Sequence, residues 1–509
     1  MISRTATVSF DGISAKEVDV QVSIAKGLPT FNIVGLAEKA VAESKERLRS
    51  AFHSLGFALP AERITVNLSP ADLAKEGSHF DLPIALAILG ALGVVPKEEI
   101  INYITLGEIA LDGEIIPVNG ILAAAYFASE QNKSIILPYN QYHQTTLVQN
   151  KIELVGIKNL LDIVKYFKSG IKPIPPIKNN LEIEEIQNKF IDIGTIKGQE
   201  GAKRAIEVAA AGKHNLLMIG PPGSGKSMLA NAMGGILPPL SPQEALEVSL
   251  IYSIAGESNG AGLITSRPYR APHHSASMPS LVGGGSKAKP GEITLAHHGI
   301  LFLDEMPEFN KNILDSLRQP LENGQVNISR VNSHVTYPAN FQLIAAMNPC
   351  RCGYFGDATR TCNKAPGCAE TYQNKISGPI LDRIDIAIEV PTLKISELDS
   401  PPNLDQKKQM QIKILKARKI QEERYKKYNI LTNSEAQSEV IERIGNITEP
   451  AKNLLKQAAE ALQFSTRGYY RSMRTARTIA DLDLSERVDK NHMAEAISYR
   501  KINYYHKIK

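Results

Sequence analysis

An apolar run that stops abruptly in a glycine-rich turn restricts this chain more than any other feature. Residues 214–235 read HNLLMIGPPGSGKSMLANAMGG. Gly220, Pro221, Pro222, Gly223, Ser224, Gly225, Lys226 and Ser227 fit the spacing G-x-x-x-x-G-K-[ST]. Chemistry explains the residue types. Glycines let backbone N–H groups close around phosphate oxygens, and the following helix adds the positive end of its dipole. Lys226 reaches the outer phosphates, and the Ser227 hydroxyl suits Mg²⁺. The apolar run before the turn and the helix-forming run after it predict a buried strand, a phosphate turn and a helix, the unit of an α/β fold.

A second motif strengthens the first. GILFLDE (299–305) is a short apolar run ending in two acids, and FQLIAAMNP (341–349) is another such run ending in Asn348. Three runs of this kind predict an open parallel sheet wrapped by helices, with ligands at the carboxyl ends of its strands. There Asp304 would hold Mg²⁺ through water and Glu305 would orient and deprotonate an attacking water, a pairing that points to hydrolysis rather than passive binding.

Length and composition set the frame around that sheet. At 509 residues, with 43% apolar and 22% charged residues, the chain has material for about three domains. Residues 1–170 read as mixed α/β, with strands TATVSF, VDVQVSI and ITVNLS, helices over 38–56 and 80–94, and strand-like IIPV and SIILP. The prolines of GIKPIPPIKNN (170–180) predict a linker, taken as 171–185. Residues 186–390 form the phosphate-binding domain. After a second proline-broken stretch, 391–509 read as helices: one long and basic over 406–428, then a small bundle.

This last part carries 23 basic against 15 acidic residues, a net of +8 within an overall +5. That bias is compatible with a polyanion partner and equally with a solvated helical face. The N-terminus lacks the apolar core of a secretory signal, which predicts a cytoplasmic protein. The apolar stretch 80–96 is too short for a membrane span and reads as a buried helix.

The chain resembles the AAA+ ATPases, and the likeness can be followed residue by residue. DIGTIKGQE (192–200) is similar to the segment before the family's phosphate loop, where backbone around Ile196 and Gly198 flanks adenine. The resemblance implies that Asn348 is the sensor-1 residue positioning the water. It implies that Arg383, in GPILDRID (378–385), is the arginine finger offered to a neighbouring subunit. STRGYYRSMRTARTIADL (465–482) resembles the sensor-2 helix. Arg467 is assigned that role, with Arg471 and Arg474 competing because they lie three or four residues along one face. A finger acting in trans implies a ring, and the family implies a homo-hexamer.

A long insertion, SRPYRAPHHSASMPSLVGGGSKAKPGEITLAHHG (266–299), resembles the magnesium-chelatase-like branch, and within it the ComM/YifB family. That likeness runs over essentially the whole chain. It implies an ATP- and Mg²⁺-dependent motor that acts on single-stranded or branched DNA and drives branch migration while transforming DNA recombines. A protein-remodelling or chelatase-type ATPase is the alternative. His273, His274, His297 and His298 read as polar contacts in a mobile loop rather than as metal ligands, because no carboxylate or cysteine stands at ligand spacing.

Three further stretches carry expectations. LENGQVNISRVNSHVTYP (321–338) alternates as a hairpin, which in related rings points into the central pore; Arg330 and His334 would face DNA, with Asn332 at the tip. All the cysteines, Cys350, Cys352, Cys362 and Cys368, fall in one short stretch. This predicts a structural Zn²⁺ site, although C-x-C and C-x₅-C differ from the usual C-x₂-C pairs. Finally, two N-terminal blocks resemble the Lon protease catalytic domain. His79, beside Ser78, stands at the nucleophile position, and residues 120–124 at the lysine position hold no amine, so proteolysis would lack its base.

Overall fold

The computed structural model describes residues 1–176 apart from 37, and 190–500 apart from 259–261, 286–287, 331–332, 356–363, 365, 394–396 and 398–400. Its first sheet is built from β1 (Ile2–Asp11), β2 (Ser14–Ala25), β3 (Thr30–Val34), β4 (Arg63–Ser69), β5 (Tyr103–Thr105), β8 (Ser134–Pro138) and β9 (Leu154–Ile157), with β6 (Glu108–Ile109) and β7 (Ile115–Ile116) paired separately. The order is β3-β4-β2-β1-β5-β8-β9. β1, β2 and β4 run antiparallel, and the β5-β8-β9 side is parallel.

Alternation along β2 and β4 turns Val18, Val20, Val22, Ile64, Val66 and Leu68 onto one face, where the helix Asp81–Ala91 covers them. Every residue of that helix is buried. A helix apolar all round belongs in a core, and that is why 80–96 read as one. Among the described residues, no helix is long and apolar enough to cross a membrane.

The second sheet contains β10 (Leu216–Ile219), β11 (Tyr269–Arg270), β14 (Ile300–Leu303), β17 (Gln342–Met347) and β18 (Ile386–Glu389), in the order β11-β14-β17-β10-β18. All its pairings are parallel. Both faces are covered, so each strand divides its side chains between two cores. Leu216, Met218, Ile300, Phe302, Ile344 and Ile386 join one. Leu217, Ile219, Leu301, Leu303, Leu343 and Ala387 join the other. This arrangement explains why the strands read as unbroken apolar runs.

Smaller pairs, β12 (Gly283–Gly284) with β13 (Lys289–Pro290) and β15 (Gln325–Arg330) with β16 (Ser333–Pro338), lie within the same stretch of chain. Helices Gln406–Tyr425, Ser438–Ile444, Glu449–Ala461, Thr466–Leu482 and Lys490–Ser498 close the first of the two cores. Of the proline-rich span 170–180, residues 171–176 have no regular structure, and the rest lies outside the described residues.

The two sheets are joined by specific contacts. Helix Ile121–Glu130 begins at Gly120, which has a left-handed backbone and no side-chain cap of its own. Its orphan N–H groups are satisfied from the other part of the chain: Gly120 N–H donates to Ser253 O at 2.8 Å and Leu122 N–H to Ser253 Oγ at 3.1 Å. Leu122 and Ala123 pack on Leu250 of the helix Pro242–Ala255.

The C-terminal helices are pinned by a buried ionic group. Asp481 is fully buried and accepts from Arg424, from Arg477 at 3.1 Å and from Asn433 Nδ2 at 2.8 Å. Burial works against charge on the Arg477 guanidinium, lowering its pKa, and Asp481 opposes that shift. Removing the carboxylate charge strands two guanidiniums. Asp481→Asn should therefore cost the cooperative unit containing these helices about 3 kcal/mol in urea unfolding, with little change in the first sheet.

Candidate nucleotide site

The site lies where β10, β14 and β17 end side by side. Ile219 is in register with Met347, and Leu303 with Ala345. The next residues out are Gly220, Asn348 and Asp304, so parallel pairing delivers the motifs to one edge.

The turn from Gly220 to Ser227 needs its glycines for different reasons. A Cβ on Gly220 would lie 2.1 Å from Val390 O, a steric exclusion. Gly225 has open space around it, but its φ of +91° is one that only glycine adopts freely. Helix Lys226–Gly234 starts directly after it. Pro222, Gly223, Gly225, Lys226, Ser227, Asp304, Glu305, Met347 and Asn348 line a cavity of about 400 Å³, large enough for a small polyanion.

Polar geometry in the cavity suits a phosphate and a divalent ion. Lys226 Nζ donates to Gly220 O and Pro221 O, both at 2.8 Å, and to Asn348 Oδ1 at 3.3 Å. Burial lowers the Lys226 pKa, while Asp304 and Glu305 oppose that shift. Ser227 Oγ–H donates to Asp304 Oδ2 at 2.6 Å, so a hydroxyl and a carboxylate, both hard oxygen donors of the kind Mg²⁺ takes, already converge. Glu305 has a φ of +50°, left-handed for a bulky residue, while its N–H donates to Asp304 Oδ1 at 2.9 Å. Such backbone persists only where surroundings over-determine it, and here it turns the Glu305 carboxylate into the cavity.

Other sequence-assigned residues fall around this centre. Ile196 is buried in the core beneath the sheet, and Gly198 packs on Leu393. Gln199 Nε2 donates to Pro391 O at 2.6 Å, holding segment 192–200 behind the phosphate turn. Arg383 and Arg467 do not line the cavity. Both approach the Glu322 carboxylate, at 2.7 Å and 3.6 Å. Arg383 is largely buried whereas Arg467 is more than half exposed. Of the competing arginines, Arg471 pairs with Asp385 at 3.4 Å, and Arg474 Nε is buried with no hydrogen-bond partner.

In the β15–β16 hairpin the strand positions of Arg330 and His334 are described, Arg330 opposite Ser333 and His334 opposite Ser329. Asn332 lies outside the described residues. Cys350, Cys352 and Cys368 gather with their sulfurs within 4.8 Å of one another. Cys362 also lies outside the described residues.

The histidines show what sequence spacing missed. His297 is buried and His298 partly buried, and the carboxylate absent from their neighbourhood in sequence arrives from the helix Pro242–Ala255. Glu247 Oε2 accepts from His297 Nε2 at 3.2 Å and His298 Nε2 at 2.9 Å. His297 Nδ1 already accepts the Asn340 N–H at 2.9 Å, so its proton resides on Nε2 and the group is a hydrogen-bonded bridge rather than a ligand set. His274 Nδ1 stands 3.9 Å from Glu305 Oε2. No local signal in the sequence marks Glu247 as the partner of His297 and His298.

In the N-terminal part, His79 is buried with Nε2 on Val8 O at 2.9 Å. Burial depresses its pKa to about 4, with the Val8 bond opposing. Ser78 Oγ–H donates to the Glu108 carboxylate.

A phosphate turn, a neighbouring strand delivering two carboxylates and a polar strand end between them define a nucleotide hydrolase of the P-loop class. Family comparison narrows this. Models described as "Magnesium chelatase, subunit ChlI", "Subunit ChlI of Mg-chelatase" and "Magnesium chelatase, subunit ChlI C-terminal" match residues 192–398, 20–141 and 405–500. Competence protein ComM of Haemophilus influenzae is 41% identical over 495 residues, 96% of this chain and 95% of its own. The protein YifB of Escherichia coli is 38% identical over 97% of this chain and 96% of its own. An archaeal Lon protease of Methanothermobacter thermautotrophicus is 46% identical over 68 residues, 13% of this chain and 10% of its own. The chain belongs to the ComM/YifB family of magnesium-chelatase-like AAA+ proteins, and that membership implies an ATPase that uses ATP and Mg²⁺.

The imidazole bridge sits directly before β14 and so fixes the far end of the strand that carries Asp304. Burial, then the His297 charge, lowers the His298 pKa to about 4, against Glu247 and Glu244. Bonds from His297 and His298 hold Glu247 at about 2. A depressed histidine gives stability that is whole above its unfolded value of 6.5 and is lost as pH falls toward the folded value. Urea midpoints should therefore decline between about pH 6.5 and 4, and His298→Gln should flatten that decline.

Proposed function

We propose that this chain is an ATP-driven motor on DNA that works as a homo-hexameric ring and promotes branch migration during recombination of incoming DNA. The observation that carries the reading is the near full-length likeness to a protein named for competence. The β15–β16 hairpin and the C-terminal +8 agree with a polyanion partner. The magnesium-chelatase models favour a second reading, a motor that remodels a protein or assists metal insertion.

In the proposed mechanism Lys226 and the N–H groups of 220–227 hold the phosphates. Ser227 and Asp304 would hold Mg²⁺, which would supply neutralisation of charge on the outer phosphates. Glu305 takes the proton of the attacking water, and Asn348 orients that water. Arg383 serves the neighbouring subunit's phosphates. Arg467 shares a carboxylate with Arg383, and this supports a common destination for the two. Residues 1–170 form a Lon-like platform without proteolytic chemistry, 171–185 a linker, 186–390 the motor domain and 391–509 a helical lid. Arg330, Asn332 and His334 contact DNA from the hairpin.

Lys226→Ala should lose ATP binding, whereas Glu305→Gln should bind ATP and turn over roughly 100-fold more slowly or worse. Wild-type-rate hydrolysis by Glu305→Gln would remove its role. Single-stranded or forked DNA should raise turnover at low salt, where phosphate contacts are strongest, and the wild-type chain should move a four-way junction. Should DNA change neither turnover nor retention while a protein substrate does, the second reading replaces the first. Arg383→Ala mixed with Lys226→Ala should recover part of the activity, because intact sites then form between unlike neighbours.

A further inference from the structure

The thiols gathered after β17 stand against the nucleotide site itself. Cys350 lies two residues beyond Asn348 and is buried. Its sulfur is 3.0 Å from that of Cys352, well beyond the roughly 2.05 Å of a disulfide, and Cys368 completes a group spanning no more than 4.8 Å. Thiolates on one tetrahedral Zn²⁺ stand about 3.8 Å apart, given a Zn–S bond of ~2.3 Å, so an ion could seat among these sulfurs with small adjustments. Between 350 and 368, the buried ones among the described residues are Cys350 and Gly353.

Gly353 explains why the matter concerns ATP. It has a φ of +85°, and a Cβ there would lie 2.5 Å from Pro222 Cδ, so the backbone just past Cys352 presses on the phosphate turn. On the other side, Gln373 Nε2, from the helix Gly367–Gln373 that contains Cys368, donates to Pro349 O at 2.9 Å. The residue after Asn348 is therefore tied to the helix bearing the third thiol, while the segment bearing the first two leans on Pro222.

We propose that Cys350, Cys352 and Cys368 bind a zinc-class divalent ion, and that this ion sets the rate of ATP hydrolysis by clamping Asn348 and Pro222 in their working positions. The first half of this proposal stands on the thiol geometry alone. The second rests on the ATPase reading. The ion takes no part in the chemistry; it fixes a loop that follows Asn348 and braces Pro222 of the phosphate turn.

Full-length protein, purified with reductant and without chelator, should carry about one zinc per chain by elemental analysis. After exchange it should show the thiolate-to-metal absorption of bound Co²⁺. Cys368→Ser should lose the ion and reduce kcat roughly 10–100-fold, in line with the cost of a small misplacement, while ATP affinity changes far less. Cys368→His, which keeps a zinc donor, should restore both metal and turnover and so separates loss of the ion from a failure to fold. Glu305→Gln should abolish turnover yet keep its zinc, which distinguishes failure of the metal site from failure of the ATPase reading. Wild-type protein that holds no zinc and takes up no Co²⁺, or that carries a Cys350–Cys352 disulfide instead, overturns the site. Metal-free protein that hydrolyses ATP at the loaded rate overturns the coupling.

Discussion

Parallel pairing of β10 with β17, and of β17 with β14, is the constraint from which the rest follows. These hydrogen bonds fix the relative heights of three strands whose ends carry Gly220, Asn348 and Asp304. Slipping one strand by a single residue would exchange its buried faces and withdraw its polar end from the cavity at the same time. Since each strand feeds a core on both sides, such a slip would refit side chains in both cores at once. Folding energy and site geometry are thus enforced by the same apolar side chains, among them Leu217, Leu301 and Leu343 on one face and Met218, Phe302 and Ile344 on the other.

The centre was legible because its information is local. The residues of the phosphate turn sit together in sequence, and their glycines have conformational reasons that hold in any fold. Leu303-Asp304-Glu305 likewise describes a strand and its end without reference to anything distant. The buried helix Asp81–Ala91 could be read for a similar reason, since an all-apolar surface has one destination in a water-soluble fold.

What sequence could not supply was partnership across the chain. His297 and His298 lacked a carboxylate within reach along the sequence, yet Glu247 arrives from fifty residues upstream on a helix whose path only tertiary packing decides. Arg383 and Arg467 have separate duties in the sequence reading and meet at Glu322, a residue to which the hairpin reading of 321–338 gives no role. The contact of Gly353 with Pro222 is of the same kind: two backbone turns that approach because the strands before them are neighbours.

Ser253 ties the N-terminal sheet to the part of the chain that carries the phosphate turn. One serine on the helix Pro242–Ala255 supplies both its carbonyl and its hydroxyl to start a helix in the other half of the molecule, and Leu250 nearby is covered by Leu122. Trimming away the first 170 residues would thus bare an apolar patch and leave the Ser253 carbonyl and hydroxyl without the helix start they serve. The leading segment is better regarded as a fitted part of the whole fold than as a detachable accessory.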